Sequence, residues 1–283
     1  MKDCCLILDG YALTYRAFFG VPDRIRTVKG KAINAVLGFY NTLSSLINQI
    51  HPDYLVVAFD LPQPTFRHLM YGQYKANRPP MPEDLKYQIP IIRQLLAAFK
   101  IPILELPGYE ADDIVGTLTR CLPSDDTEAY IVTTDRDSLQ LVNEQVSVLV
   151  PNSKENRIYT PPVVEHEWKV KPALIPDLKA LMGDSSDNIP GIPLVGPKTA
   201  VKWLEKYGSL EEVLANAEQL PGKAGKNLRN NIDNAKLYKE LATIKVNVPI
   251  TWCWKSLKLV DDFSEVKDVL DEIGIMAKLP NTV

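Results

Sequence analysis

Four short β-rich runs constrain this chain more than any other feature, because acidic residues follow each within a few positions. Residues 4–8 (Cys-Cys-Leu-Ile-Leu) end at Asp9, and residues 54–59 (Tyr-Leu-Val-Val-Ala-Phe) end at Asp60. Residues 101–106 precede Glu110, Asp112 and Asp113, and residues 129–134 precede Asp135 and Asp137. A fifth run covers residues 146–150. Continuous apolar runs of this length, rich in β-branched residues, read as strands buried on both faces. Between them, residues 33–50 and 85–99 have the period and length of helices. Strand and helix in alternation predict an α/β fold with a mainly parallel sheet and flanking helices.

From residue 161 the pattern becomes helical, at 173–182, 197–207, 210–220 and 226–244, punctuated by Pro190, Gly191, Pro193, Gly196, Gly208 and Pro221. We therefore expect an α/β core over residues 1–160 and a helical subdomain with a C-terminal extension over 161–283. The stretch between Asp60 and Pro82 is rich in Pro, Tyr, Lys and Arg and has no regular pattern. It is too long for a routine connection, which points to a functional loop or arch.

No apolar run reaches the 18 or so residues a membrane span needs. The opening Met1-Lys2-Asp3 does not read as a secretory signal. Cys4, Cys5, Cys121 and Cys253 show no paired spacing, so buried, reduced thiols and a cytoplasmic setting are expected. His51, His68 and His166 lie too far apart to make a zinc site.

In a parallel sheet the strand C-termini share one edge, where open α/β folds bind ligands. Asp9, Asp60, Glu110, Asp112, Asp113, Asp135 and Asp137 would converge there. Asp184 and Asp187, in Gly-Asp-Ser-Ser-Asp-Asn, add a further pair before the helical subdomain. Any one of these alone reads as an ordinary cap or turn residue. Together they do not, since two unit charges 4 Å apart repel by about 4 kcal/mol at an effective dielectric near 20. Such a cluster requires raised pKa values or bound cations. Oxygen ligands without His or Cys favour Mg²⁺ or Mn²⁺, and the number of acids favours two ions.

Basic groups suited to a polyanion stand nearby in the sequence. Arg16 follows Asp9 on a helix, and the irregular stretch carries Arg67, His68, Lys75 and Arg78 interleaved with Tyr71 and Tyr74. Phosphate contact and base stacking would use such a mixture. The segment 190–200, Pro-Gly-Ile-Pro-Leu-Val-Gly-Pro-Lys-Thr-Ala, leads into an amphipathic helix. Its backbone N–H groups could grip a phosphate at the helix start, with Lys198 and Lys202 adding charge.

These blocks resemble, in order, the bacterial 5′–3′ exonuclease or flap endonuclease family, found at the N-terminus of DNA polymerase I and as stand-alone proteins. The motifs are Leu8-Asp9-Gly10, Phe59-Asp60, Phe66-Arg67-His68, Tyr74-Lys75-x-x-Arg78, Gly108-Tyr109-Glu110-Ala111-Asp112-Asp113, Thr134-Asp135-x-Asp137 and Gly183-Asp184-x-x-Asp187-Asn188. The resemblance implies a PIN-like nuclease core, a helical arch over about residues 61–100, and a helix-3-turn-helix subdomain that binds duplex DNA. All nine acids match metal-site positions. Arg16, Lys75 and Arg78 match residues that engage the scissile phosphate. Arg67, His68 and Tyr74 would contact the single-stranded 5′ end. Gly191, Gly196, Lys198, Thr199 and Lys202 match the hairpin that holds the duplex, with a K⁺ ion. One position departs: Leu194 stands where the family hairpin carries its middle glycine, and a positive φ there would cost a leucine.

The function implied is a two-metal, structure-selective 5′ nuclease acting on DNA flaps and ends. It would act as a monomer near the nucleoid, beside a polymerase domain or replication and repair proteins. The alternatives are a non-catalytic junction-binding module, which could lose metal-site acids, and a PIN-type ribonuclease. A formal charge of -3 does not oppose a nucleic-acid partner. Setting the nine acids aside leaves 26 acidic residues against 32 basic ones.

Overall fold

The structure is a computed structural model that describes residues 2–27, 30–260, 262–276 and 278–281. Its elements run β1 (Cys4–Asp9), α1 (Gly10–Gly20), α2 (Asn34–Ile50), β2 (Tyr54–Ala58), α3 (Phe66–Met70), α4 (Glu83–Ala98), β3 (Ile103–Leu104) and α5 (Ala111–Arg120). Then follow β4 (Glu128–Val132), β5 (Val146–Val150), β6 (Arg157–Tyr159), α6 (Pro161–Trp168), α7 (Ile175–Met182), α8 (Pro197–Tyr207), α9 (Leu210–Ala215), α10 (Gly222–Arg229), α11 (Ile232–Ala242) and α12 (Ser264–Ile273).

The strands form one sheet in the order β3-β2-β1-β4-β5-β6. All pairings are parallel except β5 with β6. The chain thus builds outward from β1 through β2 to β3, then crosses back and builds the other way from β4. The switch between β1 and β4 opens a crevice at the strand C-termini, as open α/β sheets do. β1 and β2 read as unbroken apolar runs because both faces are covered. On one face Cys5, Ile7, Val56 and Ile131 belong to the core shared with α5, α7 and α8–α11. On the other, Leu6, Leu8, Leu55 and Val57 pack toward α1, α2, α4 and α12.

Several boundaries differ from expectation. The expected arch of residues 61–100 is shorter, because α4 is a core helix. Its Leu85, Ile92, Leu95 and Leu96 are buried against the sheet. Its Gln88 side chain accepts the Ala35 and Val36 N–H groups, satisfying two otherwise unpaired donors at the start of α2. The expected helix over 226–244 is broken between Arg229 and Ile232. The C-terminal extension does not stay with the helical half, since α12 returns to pack Val266 and Leu270 on the nuclease-side core. Of the thiols, Cys5 is buried as expected, but Cys121 and Cys253 are exposed. No helix among the described residues is long and apolar enough to cross a membrane.

Phe99, fully buried at the end of α4, packs its ring 5.5 Å from Phe263 and 6.1 Å from Tyr40. A core role predicts that Phe99→Ala lowers unfolding stability by about 3–5 kcal/mol in a urea titration. A change below about 1 kcal/mol would instead place α4 in a loosely attached arch.

Candidate metal and nucleic-acid site

The crevice acids are set by the strand ends that carry them. Asp9 closes β1 and caps α1, its Oδ1 accepting the Ala12 N–H at 3.0 Å. Its Oδ2 accepts the buried Thr133 hydroxyl at 2.8 Å, which joins the ends of β1 and β4. Thr133 Oγ1 also accepts the Asp135 N–H at 3.0 Å, and Asp135 Oδ1 accepts the Asp137 N–H at 2.9 Å. Asp60 accepts the N–H of Ala111 at 2.8 Å, fixing the start of α5 beside the end of β2.

Asp9, Asp60, Asp112 and Asp135 feel one another's charge. Burial pushes the Asp9 carboxyl up to about 6, aided by Asp60 and Asp135. Burial, then Asp135 and Asp9, raises Asp112 well above the ordinary range. Burial likewise raises Asp60 and Asp135. Oδ1 of Asp112 is buried with no hydrogen-bond partner. An ionised oxygen in that position is costly unless a cation meets it.

Each remaining acid is drawn toward a cationic side chain. Lys75 donates to Glu110 Oε2 at 2.9 Å, and Arg78 to Asp187 Oδ1 at 2.8 Å. Lys179, on α7, bridges Asp137 and Asp184. Burial would raise Asp184, but Lys179 and the Ser186 donors outweigh it and hold this carboxyl below its usual range. Among the described residues no three His, Cys, Asp or Glu side chains already stand at ligand spacing. The acids are gathered along one crevice, with lysine and arginine neutralising its flanks. Arg16 and Arg78 line the same crevice as Asp135, Asp137, Lys179 and Asp184.

Four expected residues are placed differently. Asp113 is 0% exposed, and its carboxylate is occupied by Arg67 and by the Glu110 and Lys245 N–H groups, so it does not face the crevice. Arg67 is 2% exposed and cannot touch a strand in solvent. Tyr74, 3% exposed, directs its hydroxyl to Glu110 and Asp187 instead of offering a stacking face. Gly191 is packed against backbone, not against solvent. With φ +70, a Cβ on it would lie 2.3 Å from the Gly183 nitrogen. That contact seats the hairpin on the turn carrying Asp184 and Asp187. His68 is half-buried, with Nδ1 accepting the Thr65 N–H.

Lys198, Lys202 and Gly196 are exposed at the start of α8, and Thr199 is half-buried behind them. Leu194 takes a φ of +68 with its side chain 68% exposed. Asn227 steadies this tip by donating to the Pro193 carbonyl at 2.7 Å. Sequence reasoning missed Lys179 and Thr133. The available signal for Lys179 was a lone charge inside the apolar stretch Leu178-Lys179-Ala180-Leu181.

Two outcomes follow from this geometry. Asp9 keeps its proton in the native crevice between pH 3.8 and about 6, where the unfolded chain loses it, so its burial weakens stability as pH rises through that window. The raised Asp60, Asp112 and Asp135 act in the same direction. Asp112→Asn should therefore raise the thermal midpoint by about 2 °C or more at pH 7.5, the gain shrinking toward pH 4. An unchanged or lower midpoint at pH 7.5 contradicts the charge clustering. Leu194→Gly should stabilise the protein by about 0.5–1 kcal/mol, because a leucine in left-handed backbone carries about 1–2 kcal/mol of strain, partly offset by glycine's entropy. Chemical denaturation checks this, and a loss of stability refutes it.

Known proteins agree with this architecture. The 5′-3′ exonuclease N-terminal resolvase-like domain matches residues 4–169, and the 5′-3′ exonuclease C-terminal SAM fold matches residues 170–266. The chain is 40% identical to a 5′-3′ exonuclease of Aquifex aeolicus, covering 96% of this chain and 93% of that protein. It is 41% identical to DNA polymerase I of Bacillus caldotenax, covering 99% of this chain but 32% of the polymerase. The chain thus spans about a third of the length of the DNA polymerase I relatives it matches. In fold it is similar to a bacteriophage T5 flap endonuclease solved with DNA and metal ions, at 21% identity and a TM-score of 0.72, covering 96% of this chain and 99% of that one. The Rad2 catalytic core solved with DNA is similar at 18% identity and a TM-score of 0.60, covering 96% of this chain and 88% of that one. The PIN-like α/β core and the helical C-terminal domain are both present, and the chain belongs to the 5′-3′ exonuclease family.

Proposed function

We propose that this chain hydrolyses DNA phosphodiesters at 5′ flaps and 5′ ends, using two divalent metal ions in the acid-lined crevice. The observation that carries the reading is the buried, partnerless Asp112 Oδ1 among Asp9, Asp60 and Asp135, whose shared charge calls for a hard cation. Asp9, Asp60, Glu110, Asp112 and Asp135 would hold one ion, and Asp135, Asp137, Asp184 and Asp187 the other. Mg²⁺ fits this all-oxygen donor set, and Mn²⁺ would substitute. When bound, the pair supplies Lewis acidity that activates water and stabilises the leaving 3′ oxygen.

The chain's own residues do the rest. Lys75 and Arg78 are held at the crevice by Glu110 and Asp187, where they can orient a phosphate and meet its developing charge. Arg16 extends the cationic wall. Lys179 keeps Asp137 and Asp184 apart from their own repulsion and would yield or share them as a cation enters. The exposed start of α8, with Lys198 and Lys202, would hold the duplex backbone. Leu194 already adopts a positive φ at the hairpin tip, and the backbone of this hairpin would meet a duplex phosphate and a K⁺ ion. The setting would be the cytoplasm, at the nucleoid, with the chain acting as a monomer beside a polymerase or repair proteins.

Cleavage of a labelled 5′-flap duplex in Mg²⁺ tests the reading. We expect cutting that EDTA and Asp135→Asn abolish, and that Lys75→Ala slows about 10²–10³-fold in kcat. No cleavage in either Mg²⁺ or Mn²⁺ would overturn it. Equal cutting of an RNA flap would move the assignment to a ribonuclease.

A further inference from the structure

A guanidinium behind the crevice, that of Arg67, is fully hydrogen-bonded. Arg67 has five N–H donors. Its Nε donates to the Leu241 carbonyl at 2.9 Å. Nη1 donates to Asp113 at 2.8 Å and to Glu110 Oε2 at 3.4 Å. Nη2 donates to Asp113 at 2.7 Å and to the Thr243 carbonyl at 2.8 Å. Every donor is used. Asp113 is equally full, accepting twice from Arg67, once from Glu110 N–H and once from Lys245 N–H.

A buried ion pair contributes little net stability compared with apolar side chains of the same volume. What a bidentate fork adds is geometry. Here the fork touches Glu110 at two points, its carboxylate through Arg67 and its N–H through Asp113. The same fork grips residues 241–245, the last turn of α11 and the chain just after it, in the C-terminal domain. Those residues lie close on α5: a Cβ on Gly116 would come within 2.7 Å of the Ile244 side chain. Glu110 is therefore oriented by Lys75 and Tyr74 from the crevice side and by the Arg67–Asp113 pair from behind.

We propose that Arg67 and Asp113 are positioning residues that hold Glu110 in its metal-binding orientation and tie that orientation to the duplex-binding half of the molecule. This rests on the metal-crevice reading above. It goes further in assigning a role to two residues that touch neither metal nor DNA.

The test compares Arg67→Lys and Asp113→Asn with Gln140→Ala. Gln140 also ties the core to this segment, through Ala242 and Ile244; it touches neither Glu110 nor any crevice carboxylate, its remaining bond being to the Asp137 backbone carbonyl. Three quantities are measured on each full chain: the Mn²⁺ binding midpoint by calorimetry, kcat and KM on a 5′-flap duplex, and the thermal midpoint. Arg67→Lys and Asp113→Asn should weaken Mn²⁺ binding and lower kcat by about 10–100-fold each, with KM changing little. Gln140→Ala should lower only the thermal midpoint. Wild-type Mn²⁺ binding and kcat in either positioning variant would overturn the proposal, as would an equal loss in Gln140→Ala. If both single variants unfold, the paired Arg67→Met, Asp113→Leu change removes the pair without stranding a charge. That variant should fold with weakened Mn²⁺ binding, and unweakened binding overturns the proposal. Inactivity of the wild type on flap DNA would defeat the nuclease reading alone, because the Mn²⁺ comparison does not depend on the substrate.

Discussion

Repulsion among carboxylates at one edge of a parallel sheet is the constraint to which the rest of the molecule answers. Strand order brings the ends of β2, β1 and β4 together, and each end carries an acid. Left to themselves, these charges would destabilise the fold. Burial raises the carboxyls at the centre, and Lys75, Arg78 and Lys179 neutralise those on the flanks. The cluster is thus affordable but unfinished, with Asp112 Oδ1 still lacking a partner.

The two halves of the chain meet through the acids themselves. Asp184 and Asp187 lie on the turn after α7, and Gly191 packs that turn directly against the start of the hairpin. Lys75 and Arg78 reach the same turn, Lys75 by its N–H to the Asp187 carbonyl and Arg78 by its guanidinium. Behind the crevice, Arg67 joins α3, α5 and the end of α11. A shift of the helical C-terminal half would therefore be felt at the acids. Rigid coupling of this kind suits a site in which an ångström of misplacement costs orders of magnitude in rate.

Much of this was legible before any coordinates. The strands at β1 and β2 read clearly because both faces are buried, so their residues are apolar up to the acid that follows, and β4 reads through its buried Ala129, Ile131 and Val132. Their acids read clearly because a parallel sheet must place its C-termini on one edge. What failed to read was burial of polar groups, which depends on partners far away in sequence. Asp113 looks like its neighbour Asp112, yet one helical position turns it from the crevice to Arg67. Tyr74 and Arg67 look like substrate contacts in a basic, aromatic stretch, and only the fold shows them enclosed. The family resemblance extends the arch through helix α4, whereas the helix's own period, with Leu85, Ile92, Leu95 and Leu96 buried, marks a core face. The break at Asn230 and Asn231 was lost because two short helices share one apolar period.

Crystals soaked in Mn²⁺ and measured at the manganese absorption edge test the central claim most directly. The account predicts two anomalous peaks in the crevice, one beside Asp112 Oδ1 and one beside Asp184, with the Lys179 ammonium moved off at least one of its two acids. Absence of any peak at Asp112, with Lys179 still bridging Asp137 and Asp184, would contradict it.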